Sequence, residues 1–434
     1  METKLTRIAE IAKKNPKEVF TSLYNLLNRE MLLQCHYVLD ANKAAGVDGI
    51  TKREYAIKLE ENVINLVNRL KTHSYKPQPA RRTYIPKANG KELRPLGIAA
   101  YKDKIVQMGL ARILEAIYEQ DFLDFSYGFR PNRSCHDALR AINKTIIKDK
   151  INYIVDADIK GFFNNVDHEW MMKFIGHRIA DPNIKRLIVR FLKAGIMERG
   201  RFEATDKGTA QGSVVSPILA NIYLHYVLDL WFERVVKKRS KGEVFIIRYA
   251  DDFICGFQYK EEAEKFYKAL KERLAKFKLE LAEDKTKIIE FGRFAASNRA
   301  ERGQGKPETF DFLGFTHYCS TSKSGKFRVK RRTSRKKFWT KVKSVKQWVK
   351  SVRNVLSIHE IFKRIKAVLT GHFHYYGITD NYPMLQQFKY EVIKILFKWL
   401  NRRSQRRSFT KEKFQKYLRL NPLPNRKIYV NIMG

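Results

Sequence analysis

The stretch Phe245-Ile246-Ile247-Arg248-Tyr249-Ala250-Asp251-Asp252-Phe253-Ile254-Cys255 sets two acids at a turn between two apolar, strand-like runs. Alone, an Asp-Asp pair is the composition of a solvated hairpin. A second segment changes the reading. In Tyr153-Ile154-Val155-Asp156-Ala157-Asp158-Ile159, strand alternation places Tyr153, Val155, Ala157 and Ile159 on one face and Ile154, Asp156 and Asp158 on the other. A bare carboxylate among apolar neighbours costs several kcal/mol unless a cation compensates it, and two acidic strands side by side repel each other. A divalent metal answers both demands. Mg²⁺ takes a few carboxylates together with phosphate oxygens and water, and two ions about 4 Å apart can activate a hydroxyl while neutralising a leaving pyrophosphate. That is the chemistry of nucleotide addition.

The rest of the chain suits a polyanionic partner. Its 434 residues carry 86 Lys and Arg against 45 acids, a formal charge of +41, which points to nucleic acid. The length allows two or three domains at about 100 to 200 residues each. No run of about 18 uncharged apolar residues suggests a membrane span, and Met1 to Lys14 is charged and helix-like, not a signal peptide, so a cytoplasmic protein is expected. Cys35, Cys135, Cys255 and Cys319 lie far apart without zinc-finger spacing and read as reduced thiols filling core.

Working outward, the front piece to about Lys71 is helical, with Leu59, Val63, Leu66 and Leu70 on one face and a loop at Ala45-Gly46-Val47-Asp48-Gly49. Tyr75 to Ile98 reads as short strands around a hairpin at Asn89-Gly90, flanked by Lys87, Lys91 and Arg94. Helices and strands alternate from Tyr101 to Asp311, with an amphipathic helix over Glu261 to Phe277 that aligns Phe266, Leu270, Leu274 and Phe277. Ala295 to Lys306 reads as an exposed connector. Beyond Asp311 no acid occurs until Glu360, while cations crowd Lys323 to Lys350 and Phe327, Phe338, Trp339 and Trp348 interleave with them, a mixture suited to phosphate contact and base stacking. The expected divisions are 1–75, 76–300, 301–400 and a basic tail, 401–434. No internal repeat is found.

Two boxes together, Tyr249-Ala250-Asp251-Asp252 and Asp158-Ile159-Lys160-Gly161-Phe162-Phe163, resemble the palm motifs of reverse transcriptases. Further matches follow in order: Tyr127-Gly128-Phe129-Arg130-Pro131, Gln211-Gly212-Ser213-Val214-Val215-Ser216-Pro217, Glu283-Asp284-Lys285-Thr286-Lys287 and Phe312-Leu313-Gly314-Phe315. The front Gly46-Val47-Asp48-Gly49, with Gly371-His372-Phe373-His374-Tyr375-Tyr376 and Leu400-Asn401-Arg402-Arg403-Ser404, is similar to the group II intron-encoded reverse transcriptase and maturase branch.

The resemblance implies an α+β right-hand polymerase: fingers, a ferredoxin-like palm, and an α-helical thumb or maturase domain. It implies that Asp158, Asp251 and Asp252 hold two Mg²⁺, with Asp158 and Asp251 the primary ligands. Phe163 becomes the steric gate against a ribose 2′-hydroxyl, and Lys87 and Arg94 clamp the incoming triphosphate. Gln211 and Gly212 lie beside the nascent base pair, where a small residue allows close backbone approach. Ala210 replaces the family's usual proline and Ser213 a common glycine, from which a local shift and retained activity are expected.

Implied partners are intron RNA, an RNA template with a DNA primer, and dNTPs, with a homodimer compatible and no membrane. The branch implies that the protein also binds intron RNA to assist splicing. Alternatives are an RNA-binding splicing factor without polymerase activity, and a reverse transcriptase of an antiphage or CRISPR-associated system. No Cys- or His-rich nuclease module is seen after the tail. Arg130 and Arg133 either contact phosphate or cap a buried acid. His372 and His374 lack third and fourth ligands nearby, so they read as core or RNA-stacking residues and no zinc is assigned.

Overall fold

The computed structural model describes residues 2–86, 93–403 and 408–433. In chain order the strands are β1 (Ala80–Pro86), β2 (Leu93–Ile98), β3 (Tyr153–Asp158), β4 (Ile196–Glu198), β5 (Arg201–Glu203), β6 (Val244–Tyr249), β7 (Asp252–Phe257), β8 (Lys287–Glu290), β9 (Phe310–Phe312), β10 (Phe315–Thr321) and β11 (Phe327–Thr333). They form three sheets, ordered β2-β1-β4-β5, β6-β7-β3-β8 and β11-β10-β9. The hairpin turn at Asn89-Gly90 and the candidate Lys87 lie outside the described residues, but β1 and β2 pair antiparallel up to Pro86 opposite Leu93.

The central sheet β6-β7-β3-β8 is antiparallel throughout, and its two faces bury different cores. Val155, Ala157, Ile246, Phe253, Cys255 and Phe257 join the larger core, together with Phe266, Leu270 and Leu274 of the helix Lys260–Lys276. Ile154, Ile247, Ile254 and Ile289 face the other way, toward Ala138, Leu139 and Ile142 of the helix Cys135–Lys148 and toward Phe310, Phe312 and Phe315. Strand alternation therefore sends Asp156 and Asp158 to this second face. The expected amphipathic helix is present one residue earlier at each end.

The front piece packs on the larger core as its periodicity suggests: Val63, Leu66 and Leu70 of the helix Leu59–Lys71 are buried there and Leu59 packs against it. Gly46 is required by close approach, since a Cβ at that position would stand 2.4 Å from the Ala100 Cα. Cys35 and Cys255 are buried, Cys135 and Cys319 partly so, and all four are free. Among the described residues, no helix is long and apolar enough to cross a membrane.

Two stretches differ from their sequence reading. The connector expected at Ala295 to Lys306 begins as a helix, Ala295–Glu301, anchored by buried Ala295. The basic stretch after Asp311 is first a sheet: β11 turns Val329, Arg331 and Thr333 inward, and β9 to β11 share the core of the second face. Cations at alternate positions hide this strand from a reading by composition.

Four helices follow, Arg335–Val352, Ile358–Tyr376, Tyr382–Leu400 and Lys411–Leu420, with a core of their own built on Phe338, Phe362, Leu369, Phe388 and Leu396. This helical bundle is tied to the β9–β11 unit by Tyr375, whose hydroxyl donates to the Leu313 carbonyl at 2.9 Å, and by a buried asparagine. Asn381 Oδ1 accepts from the Thr333 amide at 2.7 Å, its Nδ2 donates to Thr333 Oγ1 at 2.9 Å and to the Tyr376 carbonyl at 2.8 Å, and all of Asn381 is buried. Beside it Ile378 pairs with Val430, and Ile432 is buried in the second-face core.

His372 is a core residue of this bundle. Its ring stacks on Phe388 at a centroid separation of 3.7 Å, and burial, reinforced by Lys341, pulls its pKa down to about 3. His225, buried against the larger core, is likewise lowered to about 4, mainly by burial. A histidine kept neutral in the fold but ordinary when unfolded leaves stability intact above about pH 6.5 and costs about 1.4 kcal/mol per unit as pH falls toward the folded value. His372→Phe is therefore expected to raise the urea midpoint at pH 5 relative to that at pH 7, compared with the unsubstituted chain. An unchanged pH slope in His372→Phe would exclude this histidine as a source.

Candidate active site

Asp158 ends β3 and Asp252 begins β7, and the register sets them directly opposite each other. Asp252 is also the partner of Tyr249, so β6 and β7 are joined by Ala250 and Asp251 alone. A turn this tight needs left-handed backbone: Ala250 has φ +59, a conformation that costs a non-glycine residue about 1–2 kcal/mol. The turn displays Asp251 next to Asp252, across from Asp158. The three sequence-chosen aspartates thus come to one end of the central sheet.

For Asp251 and Asp252 desolvation comes first and repulsion among the carboxylates adds to it. Asp251 is raised above the usual carboxylate range by burial and by Asp158, against the pull of Arg94 and Arg248. Asp252 is pushed up to about 8, first by desolvation and then by Asp156, Asp251 and Asp158, with Lys337 opposing. Solvent still reaches the Asp252 side chain. Reachable by water yet surrounded by protein, it stands as a group does on the floor of a cleft, and its three acidic neighbours push in the same direction as desolvation. Asp156 is pushed up to about 7 by desolvation, Asp311 and Asp158.

Such a set, oxygen donors with mutual repulsion, suits a hard divalent cation. Asp158 is at present held by Lys285, whose Nζ donates to Oδ2 at 2.9 Å. Among the described residues, no three His, Cys, Asp or Glu side chains group closely enough to hold an ion.

The remaining candidates connect to this point through the backbone. Phe163, half-buried in the short helix Phe162–Asn165, packs on Phe162, and its carbonyl accepts from the Thr209 amide at 2.7 Å. Two residues on, the Gln211 carbonyl accepts from the Gly97 amide of β2 at 2.7 Å. Gly212 follows with φ +101, and a Cβ there would stand 3.1 Å from the Gly97 carbonyl oxygen, so glycine is demanded twice. Arg94, exposed on the same strand, acts on Asp251. One continuous wall therefore runs from β2 through Gln211 and Gly212 to Phe163 and the three aspartates. Ser213, the departure noted in the sequence, donates to Gln107 Oε1 at 3.0 Å, and Val214 N bonds the same oxygen.

Across the wall stands the helical bundle. A groove of about 700 Å³ is lined by Pro86, Lys337, Lys341, Arg364, Gly371 and Tyr375, with no acid among its lining residues. Trp339 is exposed, whereas Phe338 is buried core. The two arginines left open by the sequence are now placed: Arg130 is buried and forks onto Glu119 and the carbonyls of Leu123 and Ser126, and Arg133 pairs with Asp124. Both cap acids. His374 lies against Tyr429 at 4.3 Å between ring centroids.

Sequence reasoning did not single out Lys285, Arg248 or Lys337. Lys285 lay within a quoted motif but needed the register of β8 to meet Asp158. Lys337 is one cation in a long basic run until the bundle turns it toward Asp252.

Comparison with known proteins follows the same lines. The family described as reverse transcriptase (RNA-dependent DNA polymerase) matches residues 85–317. The group II intron-encoded protein LtrA of Lactococcus lactis subsp. cremoris is 38% identical over 302 residues, covering 67% of this chain and 50% of that protein. Protein YkfC of Escherichia coli (strain K12) is 34% identical over 316 residues, 65% of this chain and 83% of the relative. Nuclear intron maturase 2, mitochondrial, of Arabidopsis thaliana is 37% identical over 189 residues, 33% of this chain and 25% of that protein. The chain thus spans about half the length of the intron-encoded Lactococcus protein.

Proposed function

The chain belongs to the reverse transcriptase (RNA-dependent DNA polymerase) family, and from that membership we propose that it copies RNA into DNA in the setting of a group II intron, whose RNA it also binds as a maturase. One observation carries the reading: Asp158 and Asp252 oppose each other in register, with Asp251 displayed beside Asp252 on a two-residue turn. The β1/β2 unit serves as fingers, the central sheet as palm and the helical bundle as thumb. The divisions 1–75, 76–300, 301–400 and 401–434 are the domains we assign.

The reaction is attack of a primer 3′-hydroxyl on the α-phosphate of a dNTP, with pyrophosphate leaving. Asp158, Asp251 and Asp252 would hold two Mg²⁺. When bound, these ions acidify the hydroxyl and offset charge on the transferring phosphate. Arg94, already acting on Asp251, offers a fixed cation to the triphosphate, and Lys87 is assigned the same task. Gln211 and Gly212 bring backbone close to the nascent pair. Lys337, Lys341 and Arg364 face the duplex as phosphate contacts, and Trp339 is open to stacking. Template, primer, dNTPs and intron RNA are the partners, a homodimer is compatible, and the cytoplasm is the proposed compartment.

Primer extension by the full chain on poly(rA) primed with oligo(dT) tests the activity. No extension across a range of Mg²⁺ would leave an RNA-binding splicing factor as the reading. Recovery and sequencing of co-purified RNA tests the intron setting, and enrichment of unrelated RNA would count against it.

Phe163 is assigned as the gate under the sugar. Phe163→Ala is expected to raise rNTP incorporation relative to dNTP by about 10-fold or more, the size of contact worth about 1–3 kcal/mol. Unchanged rNTP:dNTP selectivity would return Phe163 to the core.

A further inference from the structure

Beneath the turn that displays Asp251 lies a buried polar network to which the polymerase reading gives no task. Arg248 alternates onto the sheet face opposite the carboxylates and is fully buried. Its Nε and Nη2 donate to the two carboxylate oxygens of Asp229, at 2.7 and 2.5 Å, and Asp229 is fully buried too. Its Nη1 donates to Asn221 Oδ1 at 3.0 Å and to the Ala250 carbonyl at 2.9 Å. Asn221 Nδ2 donates in turn to the Gly128 carbonyl at 2.8 Å. Asp229 closes a π-helical stretch, His225–Asp229, and such insertions gather at functional sites.

An ion pair taken this far from water adds little net stability, because desolvation offsets the attraction. Its geometry suggests a different use. Ala250 holds a left-handed conformation that persists only when its surroundings over-determine it. The carbonyl that Arg248 grips belongs to the peptide bond joining Ala250 to Asp251, so any rotation there re-aims Asp251.

The geometry points to Asp229, Arg248 and Asn221 as positioning residues that clamp the Ala250 carbonyl and thereby fix the direction in which Asp251 presents its carboxylate. None of them touches substrate. The catalytic consequence rests on the polymerase reading; the effect on the turn itself does not.

Two full-length variants test the clamp. Asp229→Asn weakens the pair, and the double variant Asp229→Leu/Arg248→Met replaces it with apolar groups that keep the interior filled while removing the bond to Ala250. Circular dichroism checks folding. In folded variants kcat for primer extension is expected to fall about 10-fold or more while KM for dNTP changes by less than about two-fold. Two further readouts need no turnover. Mn²⁺ half-saturation, measured by electron paramagnetic resonance without nucleic acid, should rise several-fold, and amide hydrogen exchange across Tyr249 to Asp252 should quicken.

A folded double variant with wild-type exchange and wild-type Mn²⁺ binding overturns the proposal. Should either variant fail to fold, Asn221→Ser, which cuts only the amide bonds, is judged by the same measurements. Faster exchange and weaker Mn²⁺ binding in variants of a chain that extends no primer would uphold the clamp and count against the polymerase reading.

Discussion

Asp251→Asn is expected to abolish primer extension, by on the order of a thousand-fold or more, and at the same time to make the metal-free protein more stable. The loss follows if Asp251 holds an ion at the reacting phosphate, since removal of several kcal/mol of charge stabilisation lowers the rate about tenfold per 1.4 kcal/mol. The gain follows from the carboxylates' own repulsion. Asp252 and Asp156 have pKa values raised to about 8 and about 7, with desolvation first and neighbouring aspartates next. A carboxyl raised in the folded state makes the fold bind more protons than the unfolded chain, so its own contribution to stability is greatest at low pH and is lost as pH climbs from about 4 toward these values, opposite in sign to the contribution of the buried histidines. Neutralising Asp251 removes one of the repelling charges and softens that loss. Extension assays with Mg²⁺ and urea denaturation at pH 8 with chelator give the two numbers. An Asp251→Asn protein with wild-type turnover removes the site assignment, and one that is less stable than wild type at pH 8 removes the electrostatic account.

Gly128→Ala should also lose activity, to a smaller extent and by a steric route. A Cβ at Gly128 would stand 2.2 Å from the Ala250 nitrogen and 2.8 Å from the Tyr249 carbonyl carbon. Both are backbone atoms of the strand and turn that carry the aspartates, so no side chain can swing aside to make room. Overpacking of this kind costs about 1–3 kcal/mol, and here the shift falls on the acid-bearing turn. A fall of about 100-fold in extension is expected, with RNA affinity within about twofold of wild type because the basic groove lies elsewhere. Full activity would mean that the turn tolerates displacement. Loss of RNA binding in parallel would mean that the whole protein had unfolded.

Much of this was readable before any coordinates. The acidic strands were legible because strand periodicity is local: two residues per repeat and a two-residue turn fix which acids share a face. The front helices were legible for the same reason, through Val63, Leu66 and Leu70. Arg248 was not, because its partner Asp229 lies 19 residues away in a π-helical stretch that leaves no compositional trace. Arg331 was read as part of a basic run, yet it is fully buried and bonds Asn143 Oδ1 at 2.8 Å. Charge signals solvent on average, and it misleads where a strand alternates cations inward. Lys285 meets Asp158 across 127 residues, a contact that depends on tertiary register.

The junction of Thr333, Asn381 and Val430 has a mechanical consequence. The helices between them leave and return to the same small area, so they form a lever whose entering, middle and departing segments meet at one buried junction, braced beside it by Tyr375. A lever mounted in this way transmits torque and resists bending. Whatever width of cargo it grips would be felt at Asn381 as a twist of a few buried bonds.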